Sequence, residues 1–189
     1  AQKPAPTLFP KQRNLPFSRP TFETFLVGGS NAFAHHVAST FAAGKGPGLV
    51  VLYGPPGTGK SHLLCAAGAA LDTEVTEGEG FLNEVISCMR FGRMPEFRER
   101  YRDTNQRAFI LDGIEVFVKK QRSGEELAQT LKFLLGREVR VAIVAQDLPA
   151  RLGLPKQLKD ILSGALSVPV HAPDKEVRSA LLAQRCAGR

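Results

Sequence analysis

Short apolar runs recur along the chain at intervals that leave room for a helix between them. Leu49-Val50-Val51-Leu52-Tyr53, Ala108-Phe109-Ile110-Leu111, Val139-Arg140-Val141-Ala142-Ile143-Val144-Ala145 and Leu166 to Val170 are rich in branched residues and bounded by turn formers. Continuous rather than alternating apolar character is how strands buried on both faces of a parallel sheet read. Thr73 to Thr76 supplies a shorter candidate strand. Between these runs the spacing turns helical. Gly28-Gly29-Ser30-Asn31 offers a turn and an N-cap, Asn31, for a helix from Ala32 to about Ala43, and Ser61 to Leu71 forms a second. Phe81, Leu82, Val85, Ile86 and Met89 mark a helix over 80–89, Phe97 and Tyr101 one over 94–101, and Leu127, Leu131, Leu134 and Leu135 one over 125–136. Leu158 to Leu162 and Lys175 to Cys186, the latter capped by Asp174, complete the set. Strands alternating with helices predict an α/β fold: a three-layer α/β/α sandwich around a mostly parallel five-stranded sheet with right-handed crossovers.

The pattern fails before Thr21. Pro4, Pro6, Pro10, Pro16 and Pro20 stand among Lys3, Lys11, Arg13 and Arg19, a composition that opposes helix and gives little to bury, so residues 1–20 are expected to form an extended, disordered arm. Within it, Gln12-Arg13-Asn14-Leu15-Pro16-Phe17 puts a polar anchor ahead of an apolar cluster, the form of a segment that docks in a groove. A plain linker has the same look.

The first candidate strand runs directly into Gly54-Pro55-Pro56-Gly57-Thr58-Gly59-Lys60-Ser61, which satisfies G-x-x-x-x-G-K-[ST] at every fixed position. A glycine-rich connector would share the glycines. It would not place Lys-Ser at the head of a helix after a buried strand. Backbone amides and the helix N-terminus then favour a phosphate, Lys60 reaches the β and γ phosphates, and the Ser61 hydroxyl takes one Mg2+ position. Asp112 ends a second strand at the sheet edge where a carboxylate can hold that Mg2+, through water. Gly113 follows, where a hydrolytic protein of this class carries a second acid, and Glu115 is expected to face away. Gln146 and Asp147, after the 139–145 strand, either sense the γ-phosphate or simply make a strand-to-loop turn, which has the same look.

With 189 residues and 43% hydrophobic content the chain suffices for one domain with a sizeable core. No apolar run reaches the roughly 20 residues of a membrane span, which together with the N-terminal composition predicts a soluble cytoplasmic protein without a membrane partner. Cys65, Cys88 and Cys186 lack ligand spacing and read as reduced packing residues. The net charge of +7 admits nucleic acid or an acidic protein surface as partner. Arg90, Arg93, Arg98, Arg100 and Arg102 concentrate that charge in one region, either as a nucleic-acid surface or as a solvated face balanced by Glu96, Glu99 and Asp103.

Taken together, these stretches resemble the AAA+ core of the bacterial DnaA/Hda family from about Thr21 to Cys186. Phe22-Glu23-Thr24-Phe25 with Gly29-Ser30-Asn31 is similar to the family's leading segment, and Gly59-Lys60-Ser61-His62-Leu63-Leu64 to its phosphate loop. The resemblance implies ATP or ADP with Mg2+, and Val27, Asn31 and His62 beside the nucleotide. Phe81 to Glu84 and Met94 to Arg102 resemble the helical insertion that grips single-stranded DNA. Gln12, Leu15, Pro16 and Phe17 resemble a sliding-clamp-binding motif, Asp112-Gly113-Ile114-Glu115 a relaxed acidic motif, and Leu152-Gly153-Leu154-Pro155 a further string, all three on the Hda side. The implied role is a clamp-bound regulator of ATP-loaded DnaA, with homo- or hetero-oligomeric contacts through AAA+ faces. An initiator paralogue or helicase-loader-like factor on single-stranded DNA is the alternative. Lys159-Asp160-Ile161 stands where the family carries an arginine finger, so weak hydrolysis is expected, with Lys60, Asp112 and Asp147 as its catalytic set. The implied division is an arm at 1–20, a nucleotide-binding core at 21–172 and, at 173–189, the first helix of a lid that is truncated or lost.

Overall fold

Each central strand divides its side chains between two cores. In β1 (Leu49–Tyr53) Leu49 and Val51 enter one cluster, while Val50 and Leu52 enter the other. Phe109 and Leu111 oppose Ala108 and Ile110 in the same way, and Val141 and Ile143 oppose Ala142 and Val144. Period-two alternation between two dry faces makes these runs continuously apolar, since neither face can carry a polar residue. The computed structural model describes residues 20–187. Gln12, Leu15, Pro16 and Phe17 lie outside the described residues.

The remaining strands are β2 (Val75–Glu77), β3 (Ala108–Asp112), β4 (Arg140–Ala145) and β5 (Leu166–Pro169). Their order is β2-β3-β4-β1-β5 and every pairing is parallel. Helices α1 (Ala32–Ala42) and α2 (Lys60–Leu71) cover one face. The other carries α3 (Gly78–Arg90), α4 (Met94–Tyr101), α5 (Gln121–Leu135) and α6 (Lys156–Leu162). A final helix, α7 (Lys175–Ala187), is capped by Asp174, whose Oδ1 accepts the Val177 N–H at 2.9 Å.

The elements follow the sequence pattern, with shifts at polar boundaries. β2 lies two residues beyond its expected start, and α5 begins four residues early, at Gln121, because its first turn is polar and carries no periodic signal. Asn31 stands at the N-cap position of α1 as expected, but its side chain makes no capping hydrogen bond. Its buried side chain accepts the Gly28 N–H at 2.8 Å and donates to the Leu26 carbonyl at 3.0 Å, clasping the turn before the helix. Among the described residues no helix is long and apolar enough to cross a membrane.

Candidate functional site

Parallel register brings the strand ends to one edge: Tyr53 pairs with Ala145 and with Pro169, and Asp112 with Val144. The loop leaves β1 here, its Gly54 N–H donating to the Ala145 carbonyl at 3.3 Å. The Thr58 hydroxyl donates to the Pro55 carbonyl at 3.1 Å and tightens the bend. Gly59 sits in the left-handed region (φ 96°) and no side chain caps α2. Uncapped first-turn amides on a left-handed glycine make up the backbone concavity that anions occupy.

Lys60 is buried, with Nζ donating to the Gly54 and Pro55 carbonyls at 2.7 and 2.6 Å. Its pKa is lowered, first by burial, against the opposing fields of Glu115 and then Asp112. Both carboxylates thus bear on the charge of the loop lysine, and because Glu115 Oε1 comes within 3.7 Å of where a Cβ on Gly113 would stand, the expectation that Glu115 faces away is corrected. Ser61 is exposed at the first turn of α2 and Asp112 is half-buried at the end of β3. The Asp112 charge also reaches Cys65, one turn beyond Ser61, whose thiol is pushed up mainly by burial. Among the described residues no group of three or more His, Cys, Asp or Glu could hold a metal. One hydroxyl and one carboxylate nevertheless suit Mg2+, which keeps its waters and takes further oxygens from phosphates.

Asp147 opens into a cleft of about 370 Å³ lined by Tyr53, Gly54, Pro55, Gln146, Pro169, Val170 and His171. It accepts the Leu148 N–H at 2.7 Å and lies 3.6 Å from Arg151. On the other side, Phe25 packs over Gly59 and stacks on His35, ring centroids 5.7 Å apart. His62 Nε2 lies 2.9 Å from the Thr21 carbonyl and 3.2 Å from the Thr24 hydroxyl. A carbonyl only accepts, so that nitrogen carries a proton. His62 therefore ties the leading segment to α2, and Val27 stands exposed beside Gly28. Pro56 and Gly57 are exposed at the crest of the loop.

The five arginines separate. Arg98 grips Glu126 through two bonds of 2.9 and 2.8 Å, and Arg102 donates to the same carboxylate at 2.8 Å. Arg100 donates to Glu84 at 2.7 Å, and the Tyr101 hydroxyl occupies the other Glu84 oxygen at 2.8 Å. Compensation comes from Glu84 and Glu126 rather than from the neighbouring Glu96, Glu99 and Asp103. These partners lie 16 to 28 residues away along the chain, beyond the reach of local reading. Arg90 and Arg93 instead flank Phe91, each guanidinium 5.7 Å from a ring that is 64% exposed.

The profile of the bacterial DnaA ATPase domain matches residues 17–169. The chromosomal replication initiator protein DnaA of Geobacter metallireducens is 32% identical over 196 aligned positions, covering 98% of this chain and 42% of that protein. The chain thus spans about two fifths of that relative's length. Domain III of Thermotoga maritima DnaA superposes with a TM-score of 0.76 at 28% identity, covering 85% of this chain and 70% of that one. A replication initiator DnaA bound to AMPPCP and single-stranded DNA gives 0.79 at 23% identity, over 89% and 55% of the two chains. The DnaC helicase loader shares the fold alone, with a TM-score of 0.62 at 16% identity over 80% of this chain and 97% of that one. The family model covers most of the sequence, as does the Geobacter relative, and the chain belongs to the bacterial DnaA family, as its AAA+ ATPase domain.

Proposed function

We propose that the chain is the nucleotide-binding unit of a replication-initiation protein, taking ATP or ADP with Mg2+. The supporting observation is the Lys60 ammonium held inside the loop on two backbone carbonyls, with the charges of Asp112, at the end of β3, and of Glu115, just beyond it, bearing on it. The amides from Gly57 to Ser61 would surround the phosphates; Pro55 and Pro56 have no N–H and contribute shape. Ser61 and Asp112 would hold Mg2+, which supplies charge neutralisation at the phosphates. Asp147 would sense nucleotide across the cleft, and Val27, Asn31 and His62 would shape the wall beside the base. The related initiator bound to AMPPCP, an ATP analogue, favours the same ligand here. Residues 21–172 then form the core, and α7 begins a lid. Isothermal titration with ATP and ADP tests the reading: absence of binding, or binding unchanged in Lys60→Ala, removes it.

The finer role we propose is regulation of initiation through the sliding clamp and DnaA, with Gln12, Leu15, Pro16 and Phe17 as the clamp contact. Deleting residues 1–20, or changing Leu15 and Phe17 to alanine, should abolish clamp pulldown and leave nucleotide affinity intact. Retained pulldown ends that assignment. A second reading, a factor on single-stranded DNA, is favoured by the exposed Phe91 between two guanidiniums. Arginine contacts to backbone phosphates and an aromatic face for a base are the elements of such a grip.

A further inference from the structure

The carboxylate of Glu115 returns to the place vacated by a missing acid. Gly113 has φ 89° and ψ 67°, a left-handed turn that L side chains adopt at a penalty, and it starts the 3-10 turn Ile114–Phe117. Ile114 and Phe117 are fully buried, so packing fixes the direction of the residues between them. The turn curls Glu115 back over the strand end: a Cβ built on Gly113 would lie 3.7 Å from Glu115 Oε1. A side chain at 113 would therefore emerge toward the space that the Glu115 carboxylate already holds. The other oxygen, Oε2, is enclosed and has no hydrogen-bond partner. A buried carboxylate oxygen without a donor is unfavourable, and a hydroxylic donor is what would satisfy it.

We propose that Glu115 is the carboxylate that orients and deprotonates the attacking water in ATP hydrolysis at this loop, in place of an acid at 113. The inference rests on the nucleotide-binding reading and adds turnover to it. A Glu115 oxygen accepts a proton from water as the water oxygen bonds to the γ-phosphorus. The bridging bond to that phosphorus breaks, its electron pair staying on the β-phosphate of ADP, and the proton leaves Glu115 for the released phosphate or solvent. Glycine at 113 and glutamate at 115 are then one device, since the left-handed glycine permits the turn that carries the acid home.

Single-turnover hydrolysis of γ-labelled ATP with the full chain in excess, beside calorimetric ATP titration with and without Mg2+, tests the proposal. Glu115→Gln should bind ATP within about threefold of wild type, keep its Mg2+ dependence, and hydrolyse at least ~10²-fold more slowly. A wild type that binds without hydrolysing, or a Gln variant that turns over as wild type does, overturns the proposal and leaves nucleotide binding standing. A Gln variant that loses affinity in step with rate makes Glu115 a mere counter-ion of Lys60 and also overturns it. A wild type that fails to bind ATP overturns both readings. Should the Gln variant melt early, Glu115→Asp keeps the charge on a shorter stem and must show the same separation of rate from affinity.

Discussion

The ring of Phe25 closes the space above Gly59: a Cβ at 59 would stand 2.8 Å from its Cε2 atom. The leading segment thereby seals the outer wall of the phosphate loop, and the loop's last glycine is constrained twice, by its left-handed φ and by the aromatic above it. Gly59→Ala should destabilise the fold by roughly 1–2 kcal/mol from the backbone conformation alone. It should also lower ATP affinity at least tenfold, about 1.4 kcal/mol, by displacing the amides. Thermal melts and titration check this. Adding Phe25→Leu should recover part of the steric share and none of the backbone share.

Arg90 and Arg93 differ from Arg98 and Arg102 in what they hold, and substitution should separate them. Replacing Arg90 and Arg93 by alanine should leave the melting temperature within about a degree of wild type, as exposed positions usually do. If the chain binds single-stranded DNA, the same change should reduce the salt slope of binding by about 1.4, some 0.7 for each phosphate that is no longer neutralised. Fluorescence anisotropy of a labelled oligonucleotide across a salt series reads both affinity and slope. An unchanged slope in the Arg90/Arg93 variant removes Phe91 and its two flanking arginines as a nucleic-acid contact.

Tyr101 anchors α4 by two means, ring packing on Phe81 and Phe97 and a hydrogen bond to Glu84. Burial and the adjacent Glu84 carboxylate push its hydroxyl well above the ordinary tyrosine range, so it stays a donor at any working pH. Tyr101→Phe keeps the packing and frees one Glu84 oxygen, which Arg100 and solvent can partly satisfy. The expected loss is about 1–2 kcal/mol, or roughly 2–8 °C in Tm. A change of about 4 kcal/mol or more would mean that the ring itself had moved.

Much of this architecture is legible in the sequence because buried parallel strands have one simple signature. β1 and β3 coincide with their apolar runs. Helix α4 coincides with the Met94–Tyr101 segment, set off by Gly92 before it and by the polar run from Arg102 to Arg107 after it. Lys60 and Asp112 are readable for the same reason, since a strand that ends fixes where its last side chain stands. Glu115 is not: three residues beyond Asp112, continued strand alternation would point it to the opposite face, and only the 3-10 turn at Gly113 redirects it. The position of Asn31 at the N-cap is readable, but not that its side chain clasps the preceding turn, because caps and turn clasps use the same residue type. The use of Glu84 and Glu126 is hidden because tertiary contact, not spacing, brings acids to arginines on another helix.

Glu126 makes stability depend on pH. It is buried, 4% exposed, and accepts from both Arg98 and Arg102, while Arg98 keeps 45% of its side chain in solvent. The Arg98 hydrogen bonds are the largest influence and hold the carboxyl below its usual range; burial opposes them, and the Arg98 and Arg102 charges add to the lowering. A group that titrates lower when folded binds fewer protons in the native than in the unfolded chain, so stability rises with pH across that interval. The contribution is therefore complete above the ordinary carboxylate pKa of about 4.3 and disappears as pH falls through the lower folded value. Glu126→Ala leaves two guanidiniums beside an apolar wall. Breaking a buried pair costs roughly 3–5 kcal/mol, and the solvent access of Arg98 reduces the expected loss at neutral pH to about 2–3 kcal/mol. Denaturant melts between pH 3 and pH 7 should show the wild-type and Ala curves converging at the acid end. A gap that stays constant through that range would mean that Glu126 stabilises the fold by packing and not by charge.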